Sequence, residues 1–225
     1  QYKNEVDDWH VSHYHCDHVF ALIRILEEED IFIKNLYYDF NVSNDILEKY
    51  GDDDNYLVAR MKKAVKENRS KIGNVITPEK GNEFVTDGVK VKILNNATFR
   101  AMANMPNDSS IVLKVETPGK KMLFLGDLGT YGDVLLKDEY FYNEIRDCEV
   151  VQLGHHGQNG VSDKFYQSLP AMKTAIYCAP EWLFDCNAGK GIGSGSWQTL
   201  RTREIMRVLK IRKTYSLKYG RVELG

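Results

Sequence analysis

All six histidines of the chain stand in two places: His10, His13, His15 and His18 near the start, and the adjacent pair His155 and His156. Histidines used only for packing do not gather in this way. The first cluster reads Ser12-His13-Tyr14-His15-Cys16-Asp17-His18. On an extended segment, side chains two apart point the same way, so His13 and His15 can hold one metal ion together. Asp17 and His18 follow as the chain turns into a helix, and they face a neighbouring position. The pattern H-x-H-x-D-H therefore offers ligands for two adjacent divalent cations. Imidazole with carboxylate suits zinc first, and also manganese or iron. Cys16 lies inside the motif, but alternation turns it away from His13 and His15, which predicts a buried neutral thiol. A tag remnant would show consecutive histidines and no aspartate.

Two further segments bring ligand-capable residues to strand ends. Lys120-Lys121-Met122-Leu123-Phe124-Leu125-Gly126-Asp127 is an apolar strand that ends in Gly-Asp. A carboxylate there is costly unless it is paired or binds a metal, and Asp127 is suited to bridge two cations. Val150-Val151-Gln152-Leu153-Gly154-His155-His156-Gly157 is the second such strand. Taken singly, each has a bland reading, a turn for Gly-Asp and a helix cap for Gly-His-His-Gly. Their joint occurrence, in this order, carries the signal.

The elements that must position these residues alternate between strand and helix, which predicts an α/β fold in one domain over residues 1–225. Trp9 to Val11 leads into the histidine segment, and Val19 to Glu28 has helical periodicity. Ile31 to Tyr38 is strand-like, and helices are predicted over 45–50 and 56–70, separated by the acidic turn Asp52-Asp53-Asp54. Strands follow over 74–76, 83–86, 89–94, 111–116 and 121–125, with Asp87-Gly88 and Pro118-Gly119 placed as hairpin turns. Helices are predicted over 131–137 and 139–146, and a strand over 149–153. Ser162 is placed to cap a helix reaching Leu169, a strand covers 175–178, and a last helix covers 197–209. A closing hairpin is expected from 213–217 and 221–224.

Composition sets outer bounds. At 225 residues, 43% hydrophobic and 28% charged, the chain has apolar material for a sizeable core. Its net charge of −2 excludes a generally basic nucleic-acid binder, though not a local basic groove. No stretch stays apolar for the roughly 18 residues that a membrane helix needs. Four cysteines without a C-x-x-C pair do not make a disulfide scaffold.

SHYHCDH at 12–18, FLGD at 124–127 and LGHHG at 153–157 resemble the metallo-β-lactamase superfamily of metal-dependent hydrolases. Asn107-Asp108-Ser109-Ser110-Ile111-Val112-Leu113 is similar to the branch that contains the hydrolase domain of bacterial DNA-uptake channels. It is also similar to the phosphorylcholine esterases, which share a Trp after the following strand (compare Trp182). The resemblance implies an αββα sandwich and a two-metal site. It puts His13 and His15 on the first metal, Asp17 and His18 on the second, and Asp127 between them. One of His155 and His156 is the last ligand, with His155 placed ahead. Many members carry another histidine between the first motif and Gly-Asp, and here none stands between His18 and His155. Asn107 occupies that region, so the first metal is expected to be under-coordinated, weakly held or completed by water. Members also carry further strands before H-x-H-x-D-H. The resemblance therefore implies that the N-terminal strands of the first sheet lie outside this chain, which would be the larger C-terminal part of the domain. Association through an exposed sheet edge, or with such a segment, is the expected consequence.

The implied activity is hydrolysis of a phosphodiester, nucleic acid or a small head group, by a hydroxide that two metals generate. Asp17 or Asp127 would orient the nucleophile and accept its proton, and His156, if not a ligand, would donate to the leaving group. The alternatives are a carboxylic ester, thioester or lactone substrate, or a degenerate member that only binds. The remaining candidates have blander readings. Gly189 to Ser196 is a mobile loop without the Gly-Lys-Ser/Thr ending after a strand that a phosphate loop has. Tyr37, Tyr38, Tyr56 and Trp182 are packing aromatics. Arg201, Arg203, Arg207, Lys210, Arg212 and Lys213 are the solvated side of the last helix, and Asp52 to Asp54 are a solvated loop.

Overall fold

The computed structural model describes residues 4–97, 104–221 and 223, and the chain divides into two compact units. The first spans residues 1–82 and 95–111, and the second spans 83–94 and 112–225.

In the first unit, β1 (Glu5–His10), β2 (Phe32–Tyr37) and β3 (Ile72–Ile76) form a parallel sheet in that order. Parallel neighbours need long crossovers, and helices supply them: α1 (Cys16–Glu28) between β1 and β2, then α2 (Asn44–Tyr50) and α3 (Tyr56–Glu67) between β2 and β3. Helix α1 buries Val19, Leu22, Ile23 and Leu26, and α3 buries Leu57, Val58, Met61, Ala64 and Val65. Both sets lie three or four residues apart, the spacing of a single helical face. They close one core with Tyr14, Ile33, Leu36, Phe40 and Ile72. The short helix α4 (Met105–Asp108) completes the described part of this unit. The stretch leading into the histidine segment is the end of a strand that starts at Glu5, and the helix predicted to Ser70 stops at Glu67. There the Asn68 amide donates to the Ala64 carbonyl and a 3-10 turn takes over.

The second unit holds a seven-stranded sheet. Its strands are β4 (Glu83–Thr86), β5 (Val89–Asn95), β6 (Val112–Thr117), β7 (Lys120–Phe124), β8 (Val150–Gln152), β9 (Thr174–Tyr177) and β10 (Lys213–Ser216), in the order β10-β9-β8-β7-β6-β5-β4. Asp87 and Gly88 both take positive φ, 49° and 78°, as the tight β4–β5 hairpin requires. Strands β6 and β7 pair antiparallel, whereas β7–β8, β8–β9 and β9–β10 are parallel. The connections carry α5 (Gly132–Leu135), α6 (Glu139–Ile145), α7 (Asp163–Gln167), α8 (Glu181–Phe184) and α9 (Thr199–Val208). Ser162 caps α7 as its sequence position predicts, accepting from the Phe165 amide.

The second arm of the expected closing hairpin, 221–224, falls partly outside the described residues, and β10 is followed by a different turn. Ser216 Oγ accepts from the Lys218 amide and turns the chain into a 3-10 turn over Leu217–Tyr219. Lys218 is drawn to Asp185, and among the described residues β10 is an edge strand paired with β9. Arg221 and Glu223 are not in a strand, and residues 222 and 224–225 lie outside the described residues.

His10, at the end of β1, stacks on Tyr37 with ring centroids 4.2 Å apart and an interplanar angle of 10°. Burial lowers its pKa from the ordinary 6.5 to about 4, against the opposing charge of Asp8. The unfolded chain therefore takes up this proton first as pH falls. Stability should be intact above pH 6.5 and lost progressively toward pH 4. A His10→Phe variant should lose less stability over that interval in a urea-unfolding series. Equal losses in variant and wild type would show that His10 does not contribute.

Candidate metal centre

The extended segment after β1 carries the first ligand set. His13 is buried, His15 and His18 are half-buried, and Asp17 is exposed. His13 Nε2 stands 3.1 Å from His15 Nδ1, with the two rings edge to face. Two imidazole nitrogens on one tetrahedral zinc, each about 2.0–2.1 Å from it, lie about 3.3 Å apart. The pair thus has the spacing that a shared cation needs. The far nitrogens of both rings are engaged elsewhere. Ser12 Oγ lies 3.1 Å and Ser110 Oγ 3.4 Å from His13 Nδ1, and Asp52 Oδ2 lies 2.8 Å from His15 Nε2. Ser12 Oγ also reaches His18 Nδ1 at 3.2 Å, and His18 Nε2 is 3.6 Å from Asp17 Oδ2. On this donor set the four residues fit divalent cations.

The acidic turn is not a free solvated loop. Tyr14 donates its hydroxyl to Asn55 Oδ1 at 3.2 Å, His15 meets Asp52, and the Cys16 amide donates to Asp54 Oδ2 at 2.8 Å. Three consecutive residues of the histidine motif are thus held by three residues of the turn between α2 and α3. Three aspartates in a row signal a turn, but nothing local names a partner 37 residues away. Asp52 is therefore a site residue that the motif did not reveal. Cys16 is half-buried rather than buried. Its thiol pKa is raised by desolvation first, then by the hydrogen bond and charge of Asp54 and the charge of Asp17. It stays a neutral thiol, a poor ligand in that state.

The second ligand set follows from strand register. Phe124 of β7 pairs with Gln152 of β8 in a parallel ladder. Three residues beyond Phe124 is Asp127, and three and four beyond Gln152 are His155 and His156. Asp127 is 2% exposed. His156 Nε2 lies 3.2 Å from Asp127 Oδ2, and His155 Nε2 lies 3.8 Å from the same atom. His156 donates Nδ1–H to the Cys178 carbonyl at 2.7 Å, whereas His155 Nε2 is met by the Gln158 side-chain amide at 2.9 Å. Both histidines hold left-handed backbone, φ 49° and 57°, a sparsely populated conformation that surroundings must enforce. The glycine that follows is held as closely. Gly157 has φ 81°, and a Cβ there would stand 2.3 Å from the Tyr177 ring. Cys178 is a half-buried thiol whose pKa is raised by desolvation first and then by the charge of Asp127.

Gln152 is the second residue that motif reading missed. Its buried Oε1 accepts from the Leu125 and Gly126 amides, and its Nε2 donates to the Gly126 and Leu153 carbonyls. It therefore ties the Gly-Asp turn to the His-His loop. A glutamine inside Val150-Val151-Gln152-Leu153 was the available signal, because a polar side chain on a buried strand needs partners.

The fold that positions these residues is of the metallo-β-lactamase type. The metallo-β-lactamase fold protein YhfI from Bacillus subtilis superposes with a TM-score of 0.55 at 9% identity, covering 97% of this chain and 78% of that one. A proposed metal-dependent hydrolase from Parabacteroides distasonis gives 0.51 at 11% identity, covering 94% and 76%. A variant of CmlA β-hydroxylase gives 0.51 at 13% identity, covering 96% of this chain and 44% of that one. These matches bear out the α/β fold that the motifs imply. No protein-family model and no curated protein matches the sequence.

Gln152→Leu removes partners from buried amides and carbonyls at the Gly126–Asp127 turn. It should destabilise the protein by about 1–3 kcal/mol, the cost of leaving such groups unsatisfied, as read by urea unfolding. Cys16→Ser should leave stability within experimental scatter. An unchanged midpoint for Gln152→Leu would show that solvent replaces the glutamine freely.

Proposed function

We propose that the protein is a metal-dependent hydrolase acting on a phosphodiester, with His13, His15, Asp17, His18, Asp127 and His156 as its metal ligands. The observation that carries this reading is the convergence of His13 Nε2 and His15 Nδ1 at 3.1 Å, with each ring engaged on its far side. The resemblance of the three motifs and the metallo-β-lactamase type of fold support it. His156 is preferred over His155 because its Nδ1–H is taken up by a backbone carbonyl, which leaves Nε2 to face Asp127. The role of acid toward the leaving group, reserved for a non-ligand His156, then lapses.

Divalent cations bound here supply an acidified water, with a pKa brought toward ~7, and positive charge for an oxygen that gains negative charge. The chain's own residues do the rest. Asp127 is buried and oriented by the Gln152-tied turn, so it offers its charge in one place. Asp17 is exposed beside His18 and can take a proton to solvent. The α9 cations do not form an open track for a polyanion: Arg201 meets Asp163, Arg207 meets Glu204, and Arg203 lies between Asp185 and the Phe184 ring. This favours a small phosphodiester over a nucleic-acid polymer.

The test is metal analysis combined with turnover of a chromogenic phosphodiester and of a chromogenic acetate ester. Zinc or manganese should restore phosphodiester turnover to chelator-treated protein. Asp127→Asn should lose at least one metal and lower turnover by orders of magnitude while keeping the fold by circular dichroism. Equal turnover in wild type and variant, or none with metals supplied, would end the hydrolase reading. Turnover of the acetate ester alone would end the phosphodiester assignment.

A further inference from the structure

We propose that Asp52 is the positioning residue that makes His15 a metal ligand, by keeping the imidazole proton on Nε2 so that Nδ1 presents its lone pair beside His13. The proposal rests on the metal-binding reading above. A carboxylate can only accept a hydrogen bond, so at 2.8 Å from Asp52 Oδ2 it is His15 Nε2 that donates. The other ring nitrogen of the neutral imidazole is then the acceptor, and it is this atom, Nδ1, that faces His13 Nε2 at 3.1 Å.

The carboxylate is itself held in place. Asp52 Oδ1 accepts from the Asp54 amide at 3.0 Å, and the Asp52 amide donates to Asn55 Oδ1 at 3.1 Å. Asn55 Nδ2 in turn donates to the Leu47 carbonyl of α2 at 2.8 Å. The turn closes so tightly that a Cβ on Gly51 would stand 2.0 Å from Asn55 Oδ1. Tyr14 and Cys16, on either side of His15, are bonded to Asn55 and Asp54 of the same turn. His15 therefore cannot swing or flip without breaking contacts that its two neighbours also anchor. Partners of this kind, one bond behind a ligand, typically change metal affinity by about 10–100-fold when removed.

Asp52→Asn is the decisive variant because its outcome follows from the turn. Oδ1 is needed by the Asp54 amide, so the new NH2 group would face His15 Nε2 and favour the opposite tautomer. Asp53→Asn removes the same charge from an exposed neighbour in the same turn. Nitrogen-15 NMR of the metal-free protein at mildly alkaline pH reads the tautomer directly, and calorimetric titration with zinc reads affinity. Wild type and Asp53→Asn should show the Nε2–H form of His15 and equal zinc affinity. Asp52→Asn should shift toward Nδ1–H and bind zinc about 10–100-fold more weakly, and Asp52→Glu should recover part of both. A wild-type His15 in the Nδ1–H form, or equal weakening by Asp52→Asn and Asp53→Asn, would overturn the positioning role and leave the metal reading standing. A wild type with the Nε2–H form that takes up no zinc would overturn the metal reading and the proposed role with it.

Discussion

Two ring nitrogens of neighbouring side chains approach to 3.1 Å at His13 and His15, and the local structure of the first unit is arranged around that approach. Without a cation one ring donates N–H to the other at this distance, and both lone pairs can converge on a metal only if each ring is held from behind. Ser12 and Ser110 do this for His13, and Asp52 does it for His15. The residue between them matters as much. Tyr14 points the other way, is fully buried, and packs edge-on against Phe40 in the core. Alternation along an extended chain thus sends the odd residues to the site and anchors the even one in the hydrophobic cluster. The same side chain carries the hydroxyl that reaches Asn55, so core packing and ligand orientation share one residue.

In the second unit the corresponding constraint is the parallel pairing of β7 and β8. Parallel neighbours end on the same side, so chain leaving Phe124 and chain leaving Gln152 emerge together. That geometry brings a buried carboxylate and a histidine pair within 4 Å without any long loop. The cost is backbone strain at His155 and His156 and a close approach at Gly157. Strained backbone of this kind persists only when its surroundings over-determine it. Here the Cys178 carbonyl, the Gly126 carbonyl that accepts the His155 amide, and the Tyr177 ring supply that restraint.

The parts of this arrangement that were legible in the sequence are those with local periodicity. The apolar faces of α1 and α3, the β4–β5 hairpin over Asp87-Gly88 and the Ser162 cap all depend on residues within a few positions of one another. The histidine- and aspartate-bearing segments stood out because residue types able to hold a metal are few and here lie close in spacing. What the sequence could not show is pairing at a distance. Asp52 and Gln152 do their work on residues 37 and 26 positions away, and their own neighbours look like an ordinary turn and an ordinary strand. The turn after β10 rests on another such pairing. Asp185, far earlier in the chain, claims Lys218 and the strand ends at Ser216.

Burial also separates the two aspartates of the candidate site, although both are carboxylates of equal intrinsic chemistry. Asp127 is 2% exposed, so its charge has given up most of its hydration. Such a group is stabilised only by partners that replace water, and a cation replaces it better than a neutral imidazole. Asp17 has half of its side chain in solvent and keeps much of its hydration without a cation. Under the proposed reading, the buried carboxylate is therefore the one whose energy would depend more on a bound cation. Gln152 strengthens this division, because the amides it binds hold the Gly126–Asp127 turn in one shape before any ligand arrives. A turn already held in its final shape spends little binding energy on ordering itself, which leaves more of that energy for the metal.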